Sequence, residues 1–273
     1  MRRDTTIQYL TESPAYPITT DRNQIVPLLL EPFTRAVCLR DPEFQLDRAD
    51  FTIDPRCSSI ALPYWLNKFD TARRFSGKIV HGENITPQDA IQESTEAGII
   101  IAPHAVDKYT DICNQLRGLF TRAFNEYTNT EGIVQRGFTL FTPRGGVGRS
   151  RELHIDNTVL SLHYNGPLST LSLYDGELSQ DVWDALNMIK RKCLDTNNPN
   201  DKAILQEIIR FLIEQASILP MTENQPNDVM ITIGQRDLDL DNPQVRRKVC
   251  VHVSSTSISA NGQAGWLMTP LMS

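Results

Sequence analysis

Residues 149–167 read Arg149-Ser150-Arg151-Glu152-Leu153-His154-Ile155-Asp156-Asn157-Thr158-Val159-Leu160-Ser161-Leu162-His163-Tyr164-Asn165-Gly166-Pro167. The second half of this stretch alternates apolar and polar residues, the period of an extended strand. On an extended backbone, side chains two positions apart share a face, so His154 and Asp156 can converge on one point. The same parity, carried along the stretch, sends His163 to the opposite face and excludes it as a partner. A third group comes from far downstream, where Lys248-Val249-Cys250-Val251-His252-Val253-Ser254 again alternates and places His252 on one face with Cys250 and Ser254.

Two histidines and one carboxylate form a facial triad, which leaves open positions on an octahedral ion and is the usual ligand set of non-haem iron(II) oxygenases. The spacing alone is not specific. With five histidines and 33 acidic residues in the chain, a histidine followed two places later by an acid is an ordinary occurrence. A histidine inside a valine-rich strand is also commonly a hydrogen-bonded core residue. Other elements of the chain must decide between a metal site and a core.

The 273 residues, 40% of them apolar, can fill one large core, and the expectation is a single domain over 1–273. Residues 1–130 form an N-terminal arm with supporting helices, and 131–273 a β-rich core interrupted by a helical insertion at 177–220. A net charge of -6 and a pI near 5.4 argue against a nucleic-acid partner. No uncharged apolar run reaches membrane-spanning length, so no membrane partner is expected. Five cysteines, an odd number without a CxxC pair, fit a reducing compartment, and the chain reads as cytoplasmic. Nothing in the sequence fixes an oligomeric state.

Along the first half, prolines 14, 17, 27 and 32 leave little regular structure apart from the apolar run at 25–30. Residues 34–40 can form a strand closed by Asp41-Pro42. Thr86-Pro87 and Gly98 bracket a helix over 87–97. After Pro103, Val106, Tyr109, Ile112, Cys113, Leu116, Leu119, Phe120, Ala123, Phe124 and Tyr127 fall at the spacing of a long amphipathic helix. Phe138, Leu140 and Thr142 then show strand alternation, followed by the glycine loop Gly145-Gly146-Val147-Gly148. That loop lacks the first glycine and the lysine of a phosphate-binding loop and leads into strand spacing rather than a helix.

In the insertion, Ser179 can cap a helix running through Cys193, and Asn200 a second one with a stripe of Ile204, Leu205, Ile208, Ile209, Leu212, Ile213 and Ala216. Residues 229–234 form a strand. The acidic run Asp237, Asp239, Asp241 lacks the glycine and closing glutamate of a calcium loop. Trp266, Leu267 and Met268 tuck onto the domain. Helices first and then strands around a helical insertion predict an α+β fold, a double-stranded β-helix of the jelly-roll or cupin type with helices packed outside.

The run His154-Ile155-Asp156, then Tyr164-Asn165-Gly166-Pro167, Asn227-Asp228-Val229, Gly234 and Val251-His252-Val253-Ser254-Ser255 resembles an uncharacterised bacterial domain family. Its usual wording is H-V-D, a strand, Y-x-G-P-G-T, then G-D-V, then H-R-S-P. Thr34-Arg35-Ala36-Val37-Cys38-Leu39-Arg40 is similar to that family's opening strand. The family in turn resembles the iron(II) and 2-oxoglutarate-dependent oxygenases. The resemblance implies that His154, Asp156 and His252 bind iron(II), with 2-oxoglutarate as co-substrate and a small molecule as substrate.

The chain departs from the pattern at Leu168-Ser169, at Val253, and at Gly262, where the superfamily often carries a basic residue for the far carboxylate of 2-oxoglutarate. Arg136, Arg144, Arg149, Arg151, Arg246 and Arg247 are the cations left, and those flanking the ligand strands, Arg149, Arg151, Arg246 and Arg247, are the expected anchors. The missing basic residue keeps open a non-catalytic metal- or ligand-binding barrel. A domain with no metal, in which both histidines are core residues, is the third reading.

Overall fold

The computed structural model describes residues 8–53, 99–130, 135–142, 152–164, 166–167, 170–190, 198–236, 238–254 and 263–270. The expected helix at 87–97 and the glycine loop at 145–148 lie outside them.

Among the described residues the chain is a mixed α+β fold with three sheets. The first half contributes β1 (Ile18–Thr19), α1 (Ile25–Leu30), β2 (Ala36–Leu39), β3 (Phe51–Ile53), β4 (Ile99–Ile101) and the long α2 (Pro103–Thr128). The second half contributes β5 (Gln135–Thr142), β6 (Leu160–Tyr164), β7 (Leu171–Leu173), α3 (Gln180–Lys190), α4 (Pro199–Ile218), β8 (Thr222–Glu223), β9 (Val229–Ile233), β10 (His252–Ser254) and β11 (Gln263–Pro270). A six-stranded sheet runs β1-β2-β9-β6-β11-β5, and a three-stranded one runs β10-β7-β8. Strands β3 and β4 pair separately. Among the described residues the sheets do not close into a barrel.

Helix α2 forms where the apolar stripe predicts it. Pro103 occupies its first turn, where the missing N–H costs nothing. The helix ends at Asn129, whose left-handed φ of 52° is tolerated by a short polar side chain. The stripe packs on one face of the six-stranded sheet, in a cluster with Val37 and Leu39 of β2, Leu160, Leu162 and Tyr164 of β6, and Val229, Ile231 and Ile233 of β9. Strict alternation sends the intervening residues to the other face. There Ala36, Cys38 and Met230 meet Leu171 and Leu173 of β7 and Cys250, so the two sheets face each other across a third core.

The outer face of the smaller sheet is covered by the insertion. Leu153, Ile155, Val251 and Val253 pack against Val182, Trp183 and Leu186 of α3 and Ile208 and Leu212 of α4. Helix α3 starts just after Ser179, as expected, and its far end at Cys193 lies outside the described residues. The cap of α4 is Asn198, which accepts from the Asn200 amide, because Pro199 takes the first helical position and shifts the start back from Asn200.

Strands β1, β3, β7, β8 and β11 were not expected. Residues 263–270 do not merely tuck onto the domain but lie between β5 and β6 in the large sheet. Residues 18–19 of the arm run parallel to β2. No described helix is long and apolar enough to cross a membrane. Cys38, Cys113 and Cys250 are buried and not joined in disulfides.

Candidate metal centre

The His154 segment is tied to β10 by a reciprocal pair of backbone bonds: the His154 amide donates to the His252 carbonyl and the His252 amide to the His154 carbonyl, both at 3.0 Å. Directly opposed residues of an antiparallel pair point to the same face. The two rings accordingly stand 4.3 Å apart between centroids, on the face turned toward the six-stranded sheet. Asp156, two residues on, follows His154 to that face. Ligand atoms of His154, Asp156 and His252 all lie within 4.8 Å of one another.

The backbone also sets which ring nitrogen is available. His154 Nδ1 lies 3.0 Å from the carbonyl of Glu152, and His252 Nδ1 lies 3.2 Å from the carbonyl of Cys250. A carbonyl only accepts, so each Nδ1 carries the proton and each Nε2 keeps a bare lone pair. Metal-binding histidines are usually oriented in this way. Nε2 of His252 is buried without a hydrogen-bond partner among the described residues. Such an orphan costs stability unless another species occupies its lone pair.

Burial pushes the His252 imidazole down to about 3, and the neighbouring His154 pushes it the same way. It is therefore neutral at ordinary pH. Its Nε2 lies 3.8 Å from Asp156 Oδ2, too far for a hydrogen bond, and a neutral ring makes no ion pair across that gap. Burial alone would raise the Asp156 carboxyl, but His163, which is hydrogen-bonded to it, leads the neighbours that outweigh burial and hold the group well below the usual carboxylate range. Two imidazoles that turn Nε2 away from their backbone carbonyls and one ionised carboxylate fit a divalent transition metal such as iron. A His–Asp–His group that can bind iron is thus present.

The end of β9 fixes the carboxylate's backbone. The Gly234 amide donates to the Val159 carbonyl, Gln235 to Asp156 and Arg236 to Thr158, while the Gln235 side-chain amide donates to the Ile155 carbonyl. The approach is close: a Cβ on Gly234 would stand 2.1 Å from the Thr158 oxygen and 2.6 Å from the Asp156 oxygen. Only glycine permits it.

His163 is in the site after all. The parity that sent it away assumes one unbroken strand from 154 to 163, whereas bends at 157–159 carry the chain from one sheet to the facing one. On β6, Leu160, Leu162 and Tyr164 face α2, so Ser161 and His163 face the site. His163 Nε2 lies 2.9 Å from Asp156 Oδ2 and 3.3 Å from Thr232 Oγ1. The alternation inside β6 carried that signal, as did the polar break Asn157-Thr158. Thr232, Gly234 and Gln235 were not singled out for the site's geometry, and only three-dimensional proximity identifies them.

Of the expected co-substrate anchors, Arg246 faces outward. Its guanidinium donates to Gln180 Oε1 at 2.8 Å and to the Leu240 carbonyl and stacks 5.2 Å from the Trp183 ring of α3. Arg247 is exposed, and its carbonyl accepts from Arg35. Arg144, Arg149 and Arg151 lie outside the described residues, as does Gly262.

No protein-family model matches the chain, and no curated protein does. Among solved structures, it is similar to the Kdo hydroxylase KdoO, a non-haem Fe(II) α-ketoglutarate-dependent dioxygenase determined with succinate and Fe(III). The identity is 14%, the TM-score 0.36, and the alignment covers 97% of this chain and 87% of that one.

Proposed function

We propose that the chain is a non-haem iron(II) and 2-oxoglutarate-dependent oxygenase acting on a small molecule, built as one domain on a double-stranded β-helix. The observation that carries the reading is the buried, unpartnered Nε2 of His252 turned toward Asp156 and His154. The strand order supports the fold. Taken in chain order from β5, with the His154 segment second and β11 eighth, strands one, eight, three and six pair in the large sheet. Strands two, seven, four and five pair in the small one. Every pairing in both sets is antiparallel, which is the winding of a jelly roll.

In this reading His154, Asp156 and His252 hold the iron. Bound iron(II) and 2-oxoglutarate supply the coupling of keto-acid decarboxylation to oxidation of an unactivated C–H bond. The protein's own part is orientation. The Glu152 and Cys250 carbonyls set the ring tautomers, the Gly234–Arg236 segment fixes the carboxylate's backbone, and two apolar cores, one between the sheets and one under α3 and α4, exclude water. The far carboxylate of 2-oxoglutarate needs a cationic anchor, since an unpaired buried carboxylate costs several kcal/mol. With Arg246 engaged at α3, the anchor falls to Arg149 or Arg151.

Anaerobic iron(II) titration with and without 2-oxoglutarate tests the reading through the visible absorption that arises only when the keto acid chelates iron. Succinate release under oxygen then tests turnover. Arg149→Ala or Arg151→Ala should weaken 2-oxoglutarate binding by about 2–5 kcal/mol while leaving iron affinity nearly unchanged. A second reading, a non-catalytic metal-binding protein, is favoured by the surroundings of Asp156 and His252. Among the described residues, no lysine or arginine side chain shifts either group's ionisation. Metal uptake with neither keto-acid-dependent absorption nor succinate release would establish that second reading.

A further inference from the structure

Resting on the assignment of His154, Asp156 and His252 as metal ligands, we propose that His163 is a positioning residue that aims the Asp156 carboxylate through an Nε2–H bond and does not itself bind the metal.

The proton's place follows from the neighbours of His163 Nε2. Asp156 Oδ2, a carboxylate oxygen 2.9 Å away, is an acceptor. Thr232 Oγ1 at 3.3 Å has the Ser161 carbonyl 3.5 Å away to take its own hydrogen, which leaves a lone pair toward Nε2. With two acceptors around it, Nε2 carries the hydrogen and has no lone pair to give a metal. This is the reverse of His154 and His252, whose Nδ1 atoms are the protonated ones. Position agrees with tautomer. The compact cluster of ligand atoms comprises His154, Asp156 and His252 without His163.

His163 reaches Asp156 from the opposite sheet. The triad stands on the His154 segment and β10, while His163 and Thr232 stand on β6 and β9, paired in the large sheet. The bond to Asp156 therefore spans the space between the sheets and fixes the carboxylate's rotation about its side-chain axis. A carboxylate already aimed at His154 and His252 gives up little rotamer freedom when an ion arrives. Outer partners of this kind are commonly worth ten- to a hundredfold in metal affinity.

The test compares His163→Leu, which removes the donor, with His163→Gln, which offers a side-chain N–H in its place. Cobalt(II) binding, followed anaerobically through its ligand-field absorption, should weaken about ten- to a hundredfold in His163→Leu. The band positions should be unchanged, because no ligand is lost. His163→Gln should recover most of the affinity. An unchanged affinity in His163→Leu overturns the proposal, and so does a shifted ligand-field spectrum that His163→Gln fails to restore, which would make His163 a ligand. A second readout needs no metal: nitrogen-15 NMR of the metal-free wild type should show His163 protonated at Nε2. A wild type that takes up no metal defeats the metal assignment, while an Nε2 without a proton defeats this proposal whatever the metal does.

Discussion

Strands β6 and β9 have two faces that serve opposite ends. Toward α2 they present Leu160, Leu162, Tyr164, Val229, Ile231 and Ile233, a dry surface in which the Tyr164 hydroxyl still finds the Phe44 carbonyl at 2.6 Å. Toward the smaller sheet the same strands present Ser161, His163, Met230 and Thr232, beside a buried imidazole nitrogen with no partner. One face is satisfied and close-packed. The other holds polar groups whose arrangement costs stability in the metal-free protein and has its use only when something binds. The helix-facing side thus carries the fold, and the inter-sheet side the chemistry.

The largest effect should come from damaging the first face alone. Phe124 of α2 is buried in the helix-facing cluster, and Phe124→Ala should cost roughly 3–5 kcal/mol of stability by urea denaturation. Metal affinity of the folded protein should stay within a few-fold of the wild type. A parallel collapse of metal binding would mean that the two faces are not separable.

Gly234 lies where β9 leaves the first face and clamps the second, and there the same substitution should have opposite signs in two places. Gly234→Ala drives a Cβ into the Thr158 and Asp156 carbonyl oxygens and should cost about 1–3 kcal/mol, with at least a tenfold loss of metal affinity as Asp156 is displaced. Gly118→Ala, on the exposed side of α2 where a Cβ meets nothing within 4 Å, should stabilise by roughly 0.5–1 kcal/mol and leave the metal alone. Equal effects at the two positions would remove the clamp from the account.

The helix-facing side was the more legible in sequence because its signals are local. The stripe from Tyr109 to Phe124 announces α2, and β2, β9 and β10 each sit inside a short alternating or apolar run. Strand β11 gave no such signal: Trp266, Leu267 and Met268 are consecutive, and its partners, β5 and β6, lie more than a hundred residues away. Of the site, the grouping of His154, Asp156 and His252 was foreseen, since parity holds within each short strand. Parity failed for His163 because it was carried across the bends at 157–159, where the chain changes sheets. Thr232 and Gly234 act on the site through contacts between β9 and the 156–163 segment, and no spacing rule in one dimension encodes such a contact.

A dependence on pH isolates the cost of the second face. His252 has a folded pKa of about 3 against an ordinary value of 6.5, because burial disfavours its charged form. Between those limits the unfolded chain binds a proton that the folded one does not, so stability rises with pH and is lost as pH falls from 6.5 toward 3. The slope is about 1.4 kcal/mol per pH unit, or roughly 2 kcal/mol between pH 6.5 and pH 5. Asp156 does not confuse this window. Its depressed pKa adds stability that is present above the ordinary carboxylate range and lost only below about pH 4, so from pH 6.5 to 5 it is ionised in both states. Urea denaturation of the metal-free protein at the two pH values should therefore show the wild type losing about 2 kcal/mol more than His252→Leu, which has no imidazole to charge. Equal losses in the two proteins would mean that the His252 ring is solvated and already paired, and the contrast between the two faces would lose its energetic basis.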